Sequence, residues 1–352
     1  MRPKVSVVMS VYNGAQYLRE AIQSILDQTF TDFEFIIIDD GSTDATGDIL
    51  AEYAAQDQRL LVFQNEQNIG LTRSLNKGLA LARGEYIARQ DADDISLPQR
   101  LQLQVSFLDH HPEVVVVASN YEIIDGGGRQ LKITQKSADP ILIAWHLLFV
   151  NYIGGHGVVM FRRDPIINLG GYAEDYRYSQ DYQLWSRLVW LSDMVILPEV
   201  LLCWRSHEQN ISTKLVSDQT NFALRVVQHN LKQLTGLEFG LAETTALWSL
   251  WSGLPLVNGK AGGLHADLKI IYQAFLTRLA DRGHDPTALS SRLSSLISRQ
   301  LLYCARSSSP VITFWLKLKI LPYALAWHPL TVLNYWLKVF QKIWSRKTLR
   351  PA

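Results

Sequence analysis

Cysteine is nearly absent from this chain. Cys203 and Cys304 are the only two in 352 residues and stand far apart in unrelated contexts, which excludes a disulfide framework or a cysteine metal site and points to a reducing compartment. Long apolar runs are also missing, since no window reaches the roughly 18 uninterrupted apolar residues that a spanning helix needs. The apolar run at residues 5–9, behind Met1-Arg2-Pro3-Lys4, is too short for a signal peptide and suits a first core strand. Any membrane contact is therefore expected to be peripheral. Acidic residues vanish after Asp285, beyond which ten Lys or Arg follow; against a net charge of +1 for the chain, this leaves −9 on the first 285 residues. The sequence is an acidic body with a basic tail. Neither G-x-x-x-x-G-K-[ST] nor G-x-G-x-x-G occurs in the N-terminal region, so the two common backbone cradles for phosphate are excluded.

What is present is a chain that is 47% hydrophobic and 19% charged, enough apolar material for a sizeable core. Its length predicts one large domain with an appended region, or two domains, and the motifs described below divide it into 1–210 and 211–352. From residue 5 to about 62 the pattern alternates strand, helix, strand, helix, strand. Residues 5–9 and Phe35-Ile36-Ile37-Ile38 are β-branched or apolar runs of the kind buried in parallel sheets. Leu18, Ala21, Ile22, Ile25 and Leu26 recur at helical spacing between them. A third strand at 60–63, a helix over 71–82 and a fourth strand at 86–88 extend the alternation. This is a doubly wound α/β arrangement, in which ligands bind at the carboxyl ends of the strands.

That rule selects Ser10, Tyr12 and Asn13 after the first strand, Asp39 and Asp40 after the second, and Asp91, Asp93 and Asp94 after the fourth. Three carboxylates within four residues repel one another, and a cation is the natural compensation. The alternative is an acidic turn in which Asp94 or Ser96 caps the next helix, just as Ser42 or Thr43 is placed to cap the helix after Asp40. An acidic edge binds a diphosphate only through a divalent cation.

The segments Val5-Ser6-Val7-Val8-Met9-Ser10-Val11-Tyr12-Asn13, Ser24-Ile25-Leu26-Asp27-Gln28-Thr29-Phe30, Ile38-Asp39-Asp40-Gly41-Ser42-Thr43-Asp44, Asn68-Ile69-Gly70-Leu71, and Gly84-Glu85-Tyr86-Ile87-Ala88 with Asp91-Ala92-Asp93-Asp94 resemble, in order and spacing, the family 2 glycosyltransferases of GT-A fold. The resemblance covers roughly residues 4–207. It implies a doubly wound mixed sheet flanked by helices, a nucleotide-sugar donor with UDP the favoured nucleotide, and Mn²⁺ or Mg²⁺. It also implies that Ser10, Tyr12 and Asp40 hold the base, that Asp93 and Asp94 meet the ribose and the metal, with Asp94 the leading ligand, and that Asp91 shapes the same site. An inverting transfer further needs a carboxylate to take the acceptor proton. The family supplies it as the Asp of a Glu-Asp pair, matched here by Asp181 with Gln180 in place of the commoner Glu. Asp181 also suits a helix N-terminus through the dipole alone. The glycine-rich loop around His156 matches an acceptor-side or metal-side loop, although a capped turn explains it equally.

Beyond about residue 210 these motifs stop and helices are expected near 221–234, 241–251 and 268–279. From Leu330 onward, Leu333, Trp336, Val339, Phe340, Ile343 and Trp344 share one helical face opposite Lys338 and Lys342. That pattern fits a helix lying in an anionic membrane interface, and a bundle packed on the catalytic domain is its rival; nucleic acid is not an expected partner, because the tail is too apolar.

These features predict an inverting glycosyltransferase acting on a glycan or lipid-linked sugar acceptor in cell-surface polysaccharide biosynthesis, cytoplasmic or peripheral on the cytoplasmic face of the inner membrane. A nucleotidyltransferase of similar core would carry a basic glycine-rich loop where Ser10-Val11-Tyr12-Asn13-Gly14 stands. A catalytically silent membrane-docking scaffold would bind no metal at the Asp cluster. The three Asp are too crowded to flank a glycosidic bond as a hydrolase pair does.

Overall fold

The computed structural model describes residues 2–208, 210, 216–254, 261–306 and 314–335. The amphipathic face expected beyond residue 335 lies outside the described residues. The chain forms two compact units, one of residues 1–147 with 151–223 and one of 148–150 with 224–352.

In the first unit the elements run β1 (Val5–Val11), α1 (Ala15–Leu26), β2 (Phe33–Asp39), α2 (Thr46–Gln56), β3 (Leu60–Gln64), α3 (Leu71–Leu81), β4 (Tyr86–Arg89), β5 (Ile95–Ser96) and α4 (Arg100–His110). They continue through β6 (Val114–Ile124), β7 (Gln130–Ile133), α5 (Pro140–Leu147), a 3₁₀ turn (His156–Val158), β8 (Met160–Arg162), α6 (Arg163–Asn168), α7 (Gln180–Leu188) and β9 (Asp193–Arg205). Among the described residues the nine strands form one mixed sheet in the order β3-β2-β1-β4-β8-β6-β9-β5, with β7 paired to β6. Strands β1 to β4 are parallel, β8 lies antiparallel between β4 and β6, and β9 runs parallel to β6.

Every residue of β1 and β2 is buried, as strands covered on both faces must be. Val5, Val7, Met9 and Val11 join Leu18, Ala21, Ile22 and Ile25 of α1 in one core layer. The intervening residues face α3, where a Cβ on Gly78 would come within 2.6 Å of Val8 Cγ1. Thus the two-residue strand period and the helical spacing meet on both sides of the sheet. Ser6 turns its hydroxyl to Glu34 at 2.6 Å and accepts the Gly84 N–H at 2.8 Å. A Cβ at Gly84 would meet Ser6 N at 2.4 Å, which explains glycine in the turn that launches β4.

Capping differs from the sequence expectation at two places. Helix α2 starts at Thr46 without a side-chain cap. Instead, Ser42 Oγ accepts the Asn13 N–H at 3.0 Å while Asn13 Oδ1 accepts the Thr43 N–H at 2.8 Å. Those polar groups stitch the β1 loop to the β2 loop. Asp94 and Ser96 likewise cap nothing, for α4 begins at Arg100 without a side-chain cap. Gln28 anchors that start: its Nε2 donates to Leu97 O at 2.9 Å and its Oε1 accepts the Leu101 N–H at 3.0 Å. The Asp-Gln-Thr-Phe segment therefore holds the chain that leaves the acidic turn.

The second unit is helical, with α8 (Val216–Thr235) crossing into it from the first, then α9 (Leu241–Ser252), α10 (Ala261–Asp281), α11 (Pro286–Arg306) and α12 (Phe314–Trp327). Leu247, Leu250, Leu268, Ile271, Phe275, Leu293, Ile297 and Leu301 are buried among them. The sequence pattern beyond Asp281 does not single out α12, nor α11, whose serines interrupt the apolar period; buried Ser298 satisfies its hydroxyl by donating to Ala324 O at 2.8 Å. Among the described residues no helix is long and apolar enough to cross a membrane.

Candidate active site

Because β1, β2 and β4 are parallel neighbours, their carboxyl ends open on one edge of the sheet. Asp40 leaves β2 with its N–H donating to Val11 O at 2.8 Å, which sets it beside the end of β1. Its carboxylate is buried, with Oδ1 accepting from Asn65 Nδ2 at 2.8 Å and from the Ile69 N–H at 2.9 Å, and Oδ2 accepting the Gly70 N–H at 2.9 Å. Asp40 thereby fixes the Asn68-Ile69-Gly70 turn, where Gly70 adopts a φ of +93° that disfavours a side chain. Ser10 is buried at the end of β1, whereas the Tyr12 ring is 50% exposed. A large apolar ring left open beside a polar pocket offers a flat stacking surface.

The acidic turn is held from beneath. Buried Gln90 donates through Nε2 to Asp94 O at 2.9 Å and to Asp91 O at 3.1 Å. Its Oε1 accepts from Ser96 Oγ at 2.7 Å and from Arg100 Nη1 at 3.0 Å. Arg89, also buried, donates through Nη2 to Asp91 Oδ1 at 2.6 Å. Arg205 closes the far side: its N–H donates to Asp94 Oδ1 at 3.0 Å, its Nε to Asp93 O at 3.0 Å and its Nη2 to Glu20 Oε2 at 2.5 Å.

The three carboxylates have different surroundings. Asp91 and Asp93 keep 28% and 29% of their side-chain surface exposed, while Asp94 has none. Asp93 Oδ2 is hydrogen-bonded to His207 Nε2 at 3.0 Å and accepts from Asn210 Nδ2 at 3.1 Å. Asp94 Oδ2 is buried without a partner. A Cβ on Gly157 would lie 3.1 Å from Asp94 Oδ2 and 3.6 Å from Asp91 Oδ2, so glycine there lets both carboxylates approach one stretch of backbone. Burial first, and then the charge of Asp91, raises Asp93 above the usual carboxylate range; burial and both neighbours raise Asp94 well above it. Among the described residues no three His, Cys, Asp or Glu side chains are arranged to hold a metal by themselves.

Asp181 occupies the first turn of α7, behind Ser179 at φ +57°. Its Oδ2 accepts from Asn151 Nδ2 at 2.8 Å. Burial pushes it up, the Tyr182 N–H and Asn151 pull it down, and nearby Asp91 pushes it up again, with burial winning at about 6. Asp181 as a residue is half-buried. Part of this shell was not anticipated from the sequence. Asn151, Gln90, Arg89, Arg205, His207 and Asn210 are polar residues without motif spacing, and only their contacts reveal them. His156 is buried, shares a 2.7 Å hydrogen bond through Nε2 with the Tyr172 hydroxyl and meets Trp185 edge-on. Burial, then Arg89, lowers it well below the usual histidine range, which keeps it neutral.

A curled mixed α/β sheet with acidic residues gathered at its carboxyl edge is the GT-A class of glycosyltransferase fold. The family model "Glycosyl transferase family 2" matches residues 6–170. An uncharacterized glycosyltransferase of Haemophilus influenzae is 34% identical over 65% of this chain and 73% of its own length. The amylovoran biosynthesis glycosyltransferase AmsE of Erwinia amylovora is 32% identical over 59% and 79%. Among solved structures, S. aureus TarS 1–349 in complex with UDP-GlcNAc has a TM-score of 0.57 at 18% identity, over 86% of this chain and 88% of that one. The mannosyltransferase PcManGT from Pyrobaculum calidifontis, in complex with GDP-Man and Mn2+, has a TM-score of 0.50 at 17% identity over 95% and 88%. The chain belongs to glycosyltransferase family 2, and it is a transferase.

Proposed function

We propose that this chain is an inverting transferase that passes a sugar from a nucleoside-diphosphate donor, UDP-linked in the first instance, to an acceptor hydroxyl during surface polysaccharide synthesis. The observation that carries this reading is Asp181: a desolvated carboxylate held by Asn151, with its pKa at about 6, close enough to Asp91 to sense its charge. The amylovoran biosynthesis that names AmsE and the nucleotide sugars bound by TarS and PcManGT support the substrate classes.

In this reading Tyr12 stacks on the base, and Ser10 and Asp40 flank it with acceptor oxygens. Exposed Asp91 and Asp93 offer hard oxygen ligands of the kind that bind Mn²⁺ or Mg²⁺, ions that commonly combine one or two carboxylates with substrate phosphates rather than a protein-only cage. The partnerless Asp94 Oδ2 and the mutual repulsion of the three acids fit the same cation. Fully buried Asp94 also fixes the turn through its other oxygen, Oδ1, which accepts the Arg205 N–H. When bound, the cation supplies neutralisation of the charge that develops on the departing nucleoside diphosphate. Asp181 takes the proton from the acceptor hydroxyl as its oxygen bonds to the anomeric carbon, and the bond from that carbon to the diphosphate oxygen breaks on the opposite face. Asn151 orients the base, and neutral His156 with Tyr172 packs the wall behind it. The basic C-terminal region places the enzyme on an anionic membrane at the cytoplasmic face, where a lipid-linked or growing glycan is met.

The test is calorimetry of UDP-, GDP- and dTDP-sugars with and without Mn²⁺. Binding by one nucleotide class that strengthens with the ion is expected, and no metal-dependent binding by any donor sinks the proposal. A second expectation follows from Asp181. With water as acceptor, donor hydrolysis measured as kcat/KM should fall about tenfold per pH unit below the free-enzyme pKa of about 6 and level off above it. The sign follows because only the deprotonated carboxylate accepts a proton, and a profile flat from pH 5 to 8 rejects Asp181 as the base.

A further inference from the structure

Lys136 is not used by the chemistry above, yet it holds the loop whose Asn151 contacts the base. Its Nζ donates to Ile153 O at 2.7 Å and lies 5.0 Å from the Tyr121 ring centroid and 5.8 Å from that of Tyr152. A Cβ at Gly154 would fall 2.4 Å from this nitrogen and 2.6 Å from the Tyr121 hydroxyl, and Gly154 takes φ +84°. The loop is thus shaped to admit the ammonium. On the other side of that turn, Asn151 Nδ2 reaches both Gly154 O at 3.4 Å and the Asp181 carboxylate at 2.8 Å.

What this ammonium lacks is a counter-charge. Among the described residues one carbonyl is its only hydrogen-bond acceptor. Burial lowers its pKa to about 7 with no carboxylate opposing the shift. A desolvated cation with two donors unfilled is expensive unless an anion completes it, and two tyrosine faces compensate only in part. Lys136 as a residue is half-buried, and an incoming anion would supply the missing charge. A purely structural clamp on Ile153 would not require a charged group, because the Ser137 N–H already ties this segment to the Tyr152 hydroxyl at 3.0 Å.

We propose that Lys136, framed by Tyr121, Tyr152 and Gly154, is an anion subsite that reads a negatively charged oxyanion group, phosphate or carboxylate, on the acceptor beside the hydroxyl delivered to Asp181. The proposal rests on the transferase reading of Asp181. Lys136 is a specificity residue in it and takes no part in bond making. A phosphate would come from a lipid-diphosphate-linked sugar or a phosphate-bearing glycan, a carboxylate from a uronic acid.

The experiment is calorimetry on the full chain at pH 6.5 with three probes: glucose 1-phosphate, glucuronate and uncharged methyl glucoside. At least one anionic probe should bind about tenfold or more tighter than methyl glucoside, as expected for a hydrogen-bonded charge pair. The anion that gains identifies the phosphate or the uronate source. Lys136→Gln should erase that preference, while Lys136→Arg should keep most of it. Loss of a mere clamp would change turnover without changing the anionic-to-neutral ratio. Equal binding of all three probes by the unmodified chain overturns the proposal without reference to any variant, as does a preference that survives in Lys136→Gln. Nucleotide-sugar binding with no anion preference removes this subsite and leaves the transferase reading intact; an anion preference with no nucleotide-sugar binding does the reverse.

Discussion

Asp181→Asn is expected to lower turnover by about 10²–10⁴-fold, the usual contribution of a positioned general base, while leaving nucleotide-sugar affinity nearly unchanged. Asparagine keeps the volume and an oxygen that can accept from Asn151 Nδ2, so the wall of the site stays in place. What disappears is the negative charge that receives the acceptor proton. Donor binding by calorimetry and donor hydrolysis on the same preparation separate the two effects. Turnover within a few fold of the parent would place the base elsewhere, and a parallel loss of donor binding would make Asp181 part of the donor pocket. Neighbouring Gln180 is buried and carries no charge. The raised pKa of Asp181 therefore comes first from burial and then from Asp91, not from an adjacent acid in sequence.

Asp93→Asn should have the second large effect, of opposite character. Metal-dependent donor binding should weaken by about 10²-fold or more, because a ligand to a charge-neutralising cation is worth several kcal/mol. The same change removes one of three crowded charges, since Asp93 is raised by burial and by Asp91. An amide can still accept from His207 and Asn210, so the melting temperature should hold or rise. Function falls while stability does not, as expected where a strained charge cluster is kept for its ligand. Thermal melting with and without Mn²⁺ provides the check. Undiminished donor affinity in the variant would remove Asp93 from the metal set and leave Asp91 as the exposed carboxylate of the turn.

The electrostatics of this sheet edge explain why these two acids differ. Arg89 and Arg205 lie almost completely buried under the turn, each bound to its backbone or carboxylates, and they hold the three acids together without access to solvent. A ligand therefore meets the acids and not the arginines. Asp181 stands apart from that cluster on its own helix start, where the helix dipole favours charge and burial opposes it. In the proposed mechanism the cluster attracts a cation and Asp181 exchanges a proton.

The sequence by itself determined the alternation of β1 to β4 with their helices, because strand and helix periods are local properties that burial on both faces makes unmistakable. It also placed Ser10, Tyr12, Asp40 and the Asp91 to Asp94 turn at strand ends, since a parallel sheet sends every carboxyl end to one edge. Asp181 as a candidate base came only from the resemblance of its short motif. Tertiary structure alone decided which carboxylates face solvent, because burial of Asp94 depends on Arg205 and Gly157, far away along the chain. It alone brought Asn151 to Asp181 and His207 to Asp93, contacts spanning 30 and 114 residues. It moved the expected helix caps into loop stitching, because Ser42 accepts the Asn13 N–H and lies outside the helix that begins at Thr46. Periodicity describes a residue's neighbours along the chain; the ionisation of a carboxylate is set by its neighbours in space.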